Sequence, residues 1–199
     1  KILNDCDEHN LKLIIKILGE EKEASRIAKN IVKFRSEKKI TKVNELVEII
    51  EKSKKKNYVT KINPCTKTFQ ALRIFVNKEI TELINGIINA TKILKPGGKL
   101  LVVSFHSIED KIVKYLFRNY STNKSKPSRY FPDNEPDNIA LFEEYKNKII
   151  KPTKNEIDKN YPSRSAKLRF AIRSKNNFKY PEELRSKFKK YLDLESADD

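Results

Sequence analysis

The sequence is poor in the residues that mark several common classes of protein. It has no methionine, two cysteines and four glycines in 199 residues. Cys6 and Cys65 lack the spacing of a metal site or of a disulfide framework, which indicates a reducing compartment and predicts a cytoplasmic location. No apolar run is long enough to span a bilayer and no secretory signal occurs, so no membrane association is expected. The absence of methionine at position one predicts that the sequence starts inside a longer reading frame.

Positive charge is abundant. The chain carries 43 Lys and Arg against 27 Asp and Glu, a formal net charge of +16. Such an excess favours a polyanionic partner, most simply a nucleic acid. A lysine-rich solubilising surface is the alternative, and because the lysines are spread along the chain, charge alone does not locate a binding site.

The stretch from Leu94 to Tyr120 organises the sequence into a turn, a strand and a helix. Pro96-Gly97-Gly98 predicts the turn, and the apolar run Leu100–Val103 favours a strand buried on both faces of a parallel sheet. Ser107, three residues before Asp110, predicts the start of the helix. The intervening Ser104-Phe105-His106 would then lie at the carboxyl end of the strand, where open α/β sheets bind their ligands.

Helical spacing dominates the first part of the chain, and Thr41 is predicted to cap one of its helices. A long helix is expected over Lys78–Leu94, immediately before the strand. Near the other end, Ser165–Arg173 alternates apolar and polar residues and predicts a strand, with Tyr145–Ile150 as its antiparallel neighbour. The overall pattern is that of an α/β fold preceded by helices.

The strand-end segment supplies the catalytic candidates Ser104, Phe105 and His106. A Ser-His-acid hydrolase with Glu109 is one interpretation, although the G-x-S-x-G sequence of a nucleophile elbow is missing. A second interpretation is that His106 or Phe105 packs against a flipped nucleobase. In the third, Ser104 and His106 only bond the loop backbone and position the following helix.

Four cations are predicted to contact RNA: Arg73, Arg164, Lys167 and Arg169. In an extended strand Lys167, Arg169 and Arg173 share one face, so they could meet a phosphate backbone together. The alternatives are the solvated side of an edge strand, where cations discourage edge pairing, and for Arg73 a salt bridge at a helix end. No G-x-G-x-x-G loop, Walker A loop or metal-ligand spacing is present, so no cofactor-binding or metal-binding residue is assigned.

Four collinear runs resemble the 16S rRNA (cytosine-N4)-methyltransferase family: GEEKEASRIAKNIV, TKTFQALRIFVNKEI, LKPGGKLLVVSFHSIEDKIVK and PSRSAKLRFAIR. The resemblance implies an enzyme that transfers a methyl group from S-adenosylmethionine to N4 of a cytidine in the decoding centre of small-subunit rRNA. It also implies the C-terminal half of a Rossmann-like methyltransferase sheet, together with a helical insertion domain that recognises rRNA.

By that resemblance, residues 1–76 form most of the insertion, 77–175 form the second half of the catalytic domain, and 176–199 form a C-terminal helix and tail. The family's glycine-rich cofactor loop and its acidic motifs belong to a first half that these residues do not match. We therefore expect an N-terminally truncated chain that neither binds S-adenosylmethionine tightly nor methylates rRNA alone. The expected partner is small-subunit rRNA or the ribosomal subunit, and a homodimer remains open. A nonenzymatic basic RNA-binding module is the alternative function.

Overall fold

The computed structural model of this chain describes residues 1–54, 63–122 and 140–196. They divide into two compact units, one made of Lys1–Glu79 with Lys190–Asp199 and the other of Ile80–Lys189. The predicted boundary at 76/77 lies three residues before the boundary between the units. The predicted C-terminal region, 176–199, is divided between them.

The first unit is helical in all of its regular described structure. Its helices are α1 (Ile2–Asp5), α2 (Glu8–Leu18), α3 (Ala24–Glu37), α4 (Val43–Ser53), α5 (Thr66–Asn77) and, from the end of the chain, α10 (Lys189–Glu195). Apolar residues at helical spacing meet in one core, which includes Leu11, Ile15, Ile27, Ile31, Leu46 and Ile50. Burial of these faces, more than helix propensity, stabilises such short helices.

Helix α4 begins one residue later than predicted. Its N-cap is Lys42, not Thr41, and the Glu45 carboxylate accepts hydrogen bonds from the amides of both residues, at 2.9 and 3.0 Å. These bonds and the neighbouring Lys38 ammonium, whose hydrogen bond is the largest cause, lower the pKa of Glu45 to about 2.

The second unit combines helices with a small sheet. Its elements are α6 (Glu79–Ile93), β1 (Lys99–Ser104), α7 (Ser107–Asn119), α8 (Lys154–Lys159), the 3-10 helix η1 (Tyr161–Ser165), β2 (Lys167–Ile172) and α9 (Glu182–Lys187). The turn before β1 is confirmed, because Gly97 has a positive φ of 79° and donates its amide to the carbonyl of Arg173.

The central strand differs from its prediction. Within the described residues β1 pairs with β2, antiparallel, in a register that joins Leu101 to Phe170 and Ser104 to Lys167. Helix α7 packs against one face, whereas Leu101 and Val103 on the other face are 57 % and 52 % exposed. The expectation of a parallel strand buried on both faces is therefore wrong for this structure. An apolar run reports hydrophobicity, and it specifies neither the strand's neighbour nor the number of covering layers.

The strand at Ser165–Arg173 is confirmed as β2, whose main partner in the described structure is β1, and the predicted antiparallel neighbour Tyr145–Ile150 is confirmed at one residue pair. That segment contributes a single bridge, Ile150 with Leu168, and otherwise has no strand pairing in the described structure. Among the described helices, none combines the length and the apolar character that a membrane span requires.

Candidate functional site

The segment between β1 and α7 places one aromatic ring in solvent. Ser104 is buried at the end of the strand and its hydroxyl donates to the carbonyl of Lys167 at 3.4 Å. His106 is also buried, whereas Phe105 between them is 54 % exposed. Of these three residues, Phe105 is therefore the one whose side chain is accessible to a ligand.

A reciprocal cap fixes this segment to the first turn of α7. The Glu109 carboxylate accepts from the amides of Phe105 and His106, at 2.8 and 3.1 Å, and Nδ1 of His106 accepts from the Glu109 amide at 3.4 Å. Helix α7 thus begins at Ser107, as predicted, and its N-cap is His106. A ring nitrogen can accept as a serine oxygen does, so it satisfies a free amide of the first turn.

The contacts of His106 and Ser104 match their structural interpretation. Nε2 of His106 lies 3.4 Å from Oε1 of Glu109, so both ring nitrogens face the residue that the histidine caps. The Ser104 hydroxyl is directed to a backbone carbonyl. His106 thus caps the start of α7 and Ser104 bonds β1 to β2, which is a different arrangement from the serine-to-histidine contact of a hydrolase.

Behind the segment, Arg169 occupies the centre of a buried polar network. Its side chain is 2 % exposed, and Nε donates to Oδ1 of Asp110 at 2.7 Å. Nη1 donates to Tyr145 Oη at 2.8 Å and to Asn147 Oδ1 at 3.1 Å, and Nη2 donates to Oδ2 of Asp110 at 3.3 Å. Lys167 contributes a second cation, 3.2 Å from Oδ2 of Asp110. The network joins β2 to α7 and so supports the strand end.

The ion pair shifts both ionisation equilibria towards the charged forms. Burial alone would raise the pKa of Asp110, but the hydrogen bonds and charges of Arg169 and Lys167 outweigh it, and the pKa is lowered. Burial would likewise lower the pKa of Arg169, but Asp110 and Tyr145 raise it. Both groups are therefore charged at neutral pH.

This geometry corrects the interpretation of Arg169 as an RNA contact. Arg169 does share a face with Lys167, as predicted, but α7 covers that face and its carboxylate neutralises the guanidinium. The larger apolar residues of β2, Leu168, Phe170 and Ile172, lie on the opposite face, where Phe170 is exposed. Strand alternation defines two faces, and only the position of α7 decides which one is inside.

The other predicted cations differ in their contacts. Lys167 keeps about a third of its side chain exposed (35 %) while it pairs with Asp110. Arg164 is exposed on η1, where its guanidinium lies over the ring of Tyr161. Arg73, in the first unit, forms two bonds to the Glu79 carboxylate, at 2.7 and 3.0 Å, and its side chain is 56 % exposed. This is the helix-end salt bridge predicted as the alternative to an RNA contact.

Sequence reasoning missed three participants. The sequence pattern places Asp110 only at the start of a helix and Tyr145 only in a weak strand, yet both hold Arg169. It gives Tyr161 no role, although the aromatic-to-arginine spacing Tyr161 to Arg164 places both side chains on one turn of a 3-10 helix. That i, i+3 spacing was the available signal.

Comparison with known proteins identifies the family. The model of the MraW methylase family matches residues 1–174. Similar curated proteins, each named ribosomal RNA small subunit methyltransferase H, come from Caulobacter sp. (39 % identity, covering 87 % of this chain and 54 % of the relative), Bartonella henselae (42 %, 87 % and 49 %) and Ehrlichia canis (42 %, 86 % and 54 %). The chain spans about half the length of the curated relatives it matches. By this match, the chain belongs to the MraW methylase family.

Proposed function

We propose that this chain forms the RNA-substrate side of an S-adenosylmethionine-dependent methyltransferase that modifies N4 of a cytidine in the decoding centre of small-subunit rRNA. The observation that carries the proposal is the family match over residues 1–174, together with relatives named for small-subunit rRNA methylation. The four sequence runs that carry the resemblance all lie within the matched range.

The chemistry requires positioning more than activation. An amine conjugated to a pyrimidine ring is a weak nucleophile, so the enzyme gains most by holding it in line with the methyl group. Phe105 suits this task, because Glu109 fixes its backbone amide and its ring stays exposed at the strand end. Extruded bases are commonly held by aromatic stacking. We assign Phe105 to orient the target base, and Ser104 and His106 to hold that segment in place.

S-adenosylmethionine would supply the methyl group, but the described residues do not offer the loop that such cofactors use. Gly97 and Gly98 form a helix-to-strand turn, whereas phosphate and nucleotide cofactors are usually cradled at a strand-to-helix turn. We therefore derive no step through the cofactor and propose that its site lies in the half of the relatives' length that this chain does not cover.

We further propose that the two units correspond to rRNA recognition and to part of a Rossmann-like catalytic domain. Residues 1–76 carry 18 Lys and Arg against 10 Asp and Glu, an excess that suits a phosphate backbone. In the second unit, Leu101, Val103 and Phe170 leave one sheet face apolar and exposed, as expected of a sheet that other elements cover in a larger domain.

A chimera tests the function. In the Bartonella henselae relative, the matched segment is replaced by residues 1–174 of this chain, and transfer of a labelled methyl group to small ribosomal subunits is measured. The subunits come from a strain that lacks its own enzyme, and the unmodified relative is the positive control. We expect transfer to small-subunit rRNA.

Two variants of the chimera examine Phe105. Phe105→Ala should slow methyl transfer, because it removes a base-stacking free energy of about 1–3 kcal/mol. Phe105→Leu keeps an apolar side chain without a ring and should not restore the rate. A folded chimera that binds S-adenosylmethionine and RNA but transfers no methyl group would contradict the proposal. That result would favour the nonenzymatic RNA-binding module.

A further inference from the structure

The 3-10 helix η1 exposes a tyrosine that contributes little to the core. Tyr161 is 64 % exposed, while Ser163, two residues later, is buried and anchors the turn. Pro162 restricts the backbone beside Tyr161 because its ring fixes φ. A large aromatic side chain is thus held in water on a short, restrained element.

Arg164 orients the ring. Its guanidinium carbon lies 4.3 Å from the centroid of the Tyr161 ring, and Nη1 also donates to the Tyr161 carbonyl at 3.4 Å. The cation covers one face of the ring and limits its rotation. The residue as a whole is 64 % exposed, so most of the Tyr161 side chain is accessible to a ligand. Such a ring can stack on a planar ligand with little further loss of conformational entropy.

The pair lies at the same end of the sheet as Phe105. Ser104, which precedes Phe105, is in register with Lys167, and Lys167 follows Arg164 by three residues. Two residues with exposed aromatic rings, Phe105 and Tyr161, therefore lie near the end of the sheet where β1 ends and β2 begins. The surrounding segment, 145–167, holds seven Lys and Arg and two Asp and Glu, so its field attracts phosphate.

We propose that Tyr161 and Arg164 form a stacking platform for an unpaired RNA nucleotide that neighbours the target cytidine. The inference rests on the proposed function, which supplies the RNA substrate. It assigns Tyr161 and Arg164 to a nucleotide beside the target cytidine and not to the cytidine itself. The ring of Tyr161 stacks on the base, and the guanidinium donors of Arg164 that face solvent bind the adjacent phosphate. Aromatic rings and arginine planes are the usual contacts for unstacked bases in single-stranded RNA.

Binding of the full chain to RNA tests the platform directly. The probes are a fluorescein-labelled oligouridine and a labelled RNA duplex, compared by fluorescence anisotropy over a range of salt concentrations. Tyr161→Ala should weaken binding to the single strand by roughly 5- to 100-fold, as removal of one stacked base predicts. Tyr161→Phe keeps the ring and should bind within about twofold of the natural chain.

Matched variants separate stacking from charge and from folding. Tyr180→Ala removes another exposed tyrosine, ahead of α9, and should leave affinity unchanged. Arg164→Lys should weaken binding but keep its salt dependence, whereas Arg164→Ala should also reduce the salt slope by about 0.7 for each phosphate that the arginine neutralises. All variants should keep the thermal midpoint within about 2 °C, because the substituted side chains are exposed.

Equal binding by Tyr161→Ala and the natural chain, or no preference for the single strand over the duplex, would overturn the platform. The chimera distinguishes this failure from failure of the proposed function. If it methylates subunits and Tyr161→Ala leaves KM unchanged, the platform is wrong and the function stands. If it is folded but inactive while Tyr161→Ala still weakens RNA binding, the platform stands and the function is wrong. The expected result is a raised KM with kcat preserved.

Discussion

The two units differ in which side chains they bury and which they leave exposed. The first unit gathers its apolar side chains into one helical core, and its large exposed apolar residues, Val43 and Val76 among those described, stand on separate helices. The second unit buries the charges of Arg169 and Arg173 and leaves Leu101 exposed beside other apolar side chains on one sheet face.

This difference indicates different tasks. An apolar core enclosed by helices stabilises itself, whereas a contiguous exposed apolar face usually marks a surface for interaction. Each buried arginine has hydrogen-bond or ion-pair partners that offset the cost of removing its charge from water. Arg169 is paired with Asp110, and Arg173 donates to the carbonyls of Thr91, Leu141 and Asn176, at 3.2, 2.9 and 2.9 Å. The second unit therefore adds two buried arginines, each with several partners, to an apolar core that includes Ile112 and Phe117, whereas Glu21, paired with Lys54, is a buried charge of the first unit.

The largest effect is expected from breaking the buried ion pair. Arg169→Ala leaves the Asp110 carboxylate without its main partner and should lower the free energy of unfolding of the second unit by about 3–5 kcal/mol. Urea unfolding followed by circular dichroism measures it. Replacing the pair together, with Asp110→Leu and Arg169→Met, should restore most of that free energy. Arg185→Ala, at an exposed arginine, is the control; equal effects of the two arginine substitutions would refute the role of the pair.

A smaller destabilisation is expected at a close approach in the first unit. A Cβ atom on Gly19 would lie 2.5 Å from the carbonyl oxygen of Lys67 and 2.7 Å from that of Ile15, so Gly19→Ala should cost about 1–3 kcal/mol. Gly86, inside α6, has nothing within 4 Å of the corresponding position. Gly86→Ala should therefore stabilise by about 0.5–1 kcal/mol, and thermal unfolding of both variants would reveal the opposite signs. A Gly19→Ala variant as stable as the natural chain would contradict the packing of α2 on α5.

Acid should weaken the second unit through Asp110. Because the pKa of this carboxyl is lowered in the folded state, its contribution is complete above the ordinary aspartate pKa of about 3.9 and is lost as pH falls through the lower folded value. Between about pH 5 and pH 3, the urea midpoints of the natural chain and Asp110→Asn should therefore keep a constant difference down to about pH 4 and converge below it. The comparison of the two chains removes the contributions of other carboxylates, such as Glu21 and Glu45, whose pKa values are also lowered. A constant difference across that range would exclude titration of Asp110.

The smallest stability change is expected on the exposed sheet face. Leu101→Thr and Val103→Thr introduce side chains that strands accept readily, and each should change the free energy of unfolding by no more than about 0.5 kcal/mol. Binding of a hydrophobic dye should fall, and sedimentation equilibrium would show whether this face also supports a homodimer. A destabilisation of several kcal/mol would mean that these side chains are buried.

Local signals predicted much of this structure because they depend on neighbouring residues. The helical periodicity of the first unit, the turn at Gly97 and the start of α7 at Ser107 all follow from short-range patterns. The partner of β1 could not be predicted from such patterns, because strand pairing joins residues far apart in sequence.

The candidate site, too, was predicted only where it depends on residues that are close in sequence. The position of Phe105 at a strand end follows from a local pattern, and its role at the base stays a prediction. The burial of Arg169 depends on Asp110 and Tyr145, which lie 59 and 24 positions away. Without those two partners, a buried arginine and an RNA-binding arginine have the same sequence signature. Residues 1–76 as an insertion domain remain a proposal as well.

Nucleoside analysis of the methylated RNA tests the central claim most directly. Small-subunit rRNA from cells that express the chimera in place of their own enzyme would be digested and examined by mass spectrometry. The account predicts N4-methylcytidine at a single cytidine of the decoding centre, and its absence from cells without the chimera. A folded chimera that binds S-adenosylmethionine yet leaves that cytidine unmodified would contradict it.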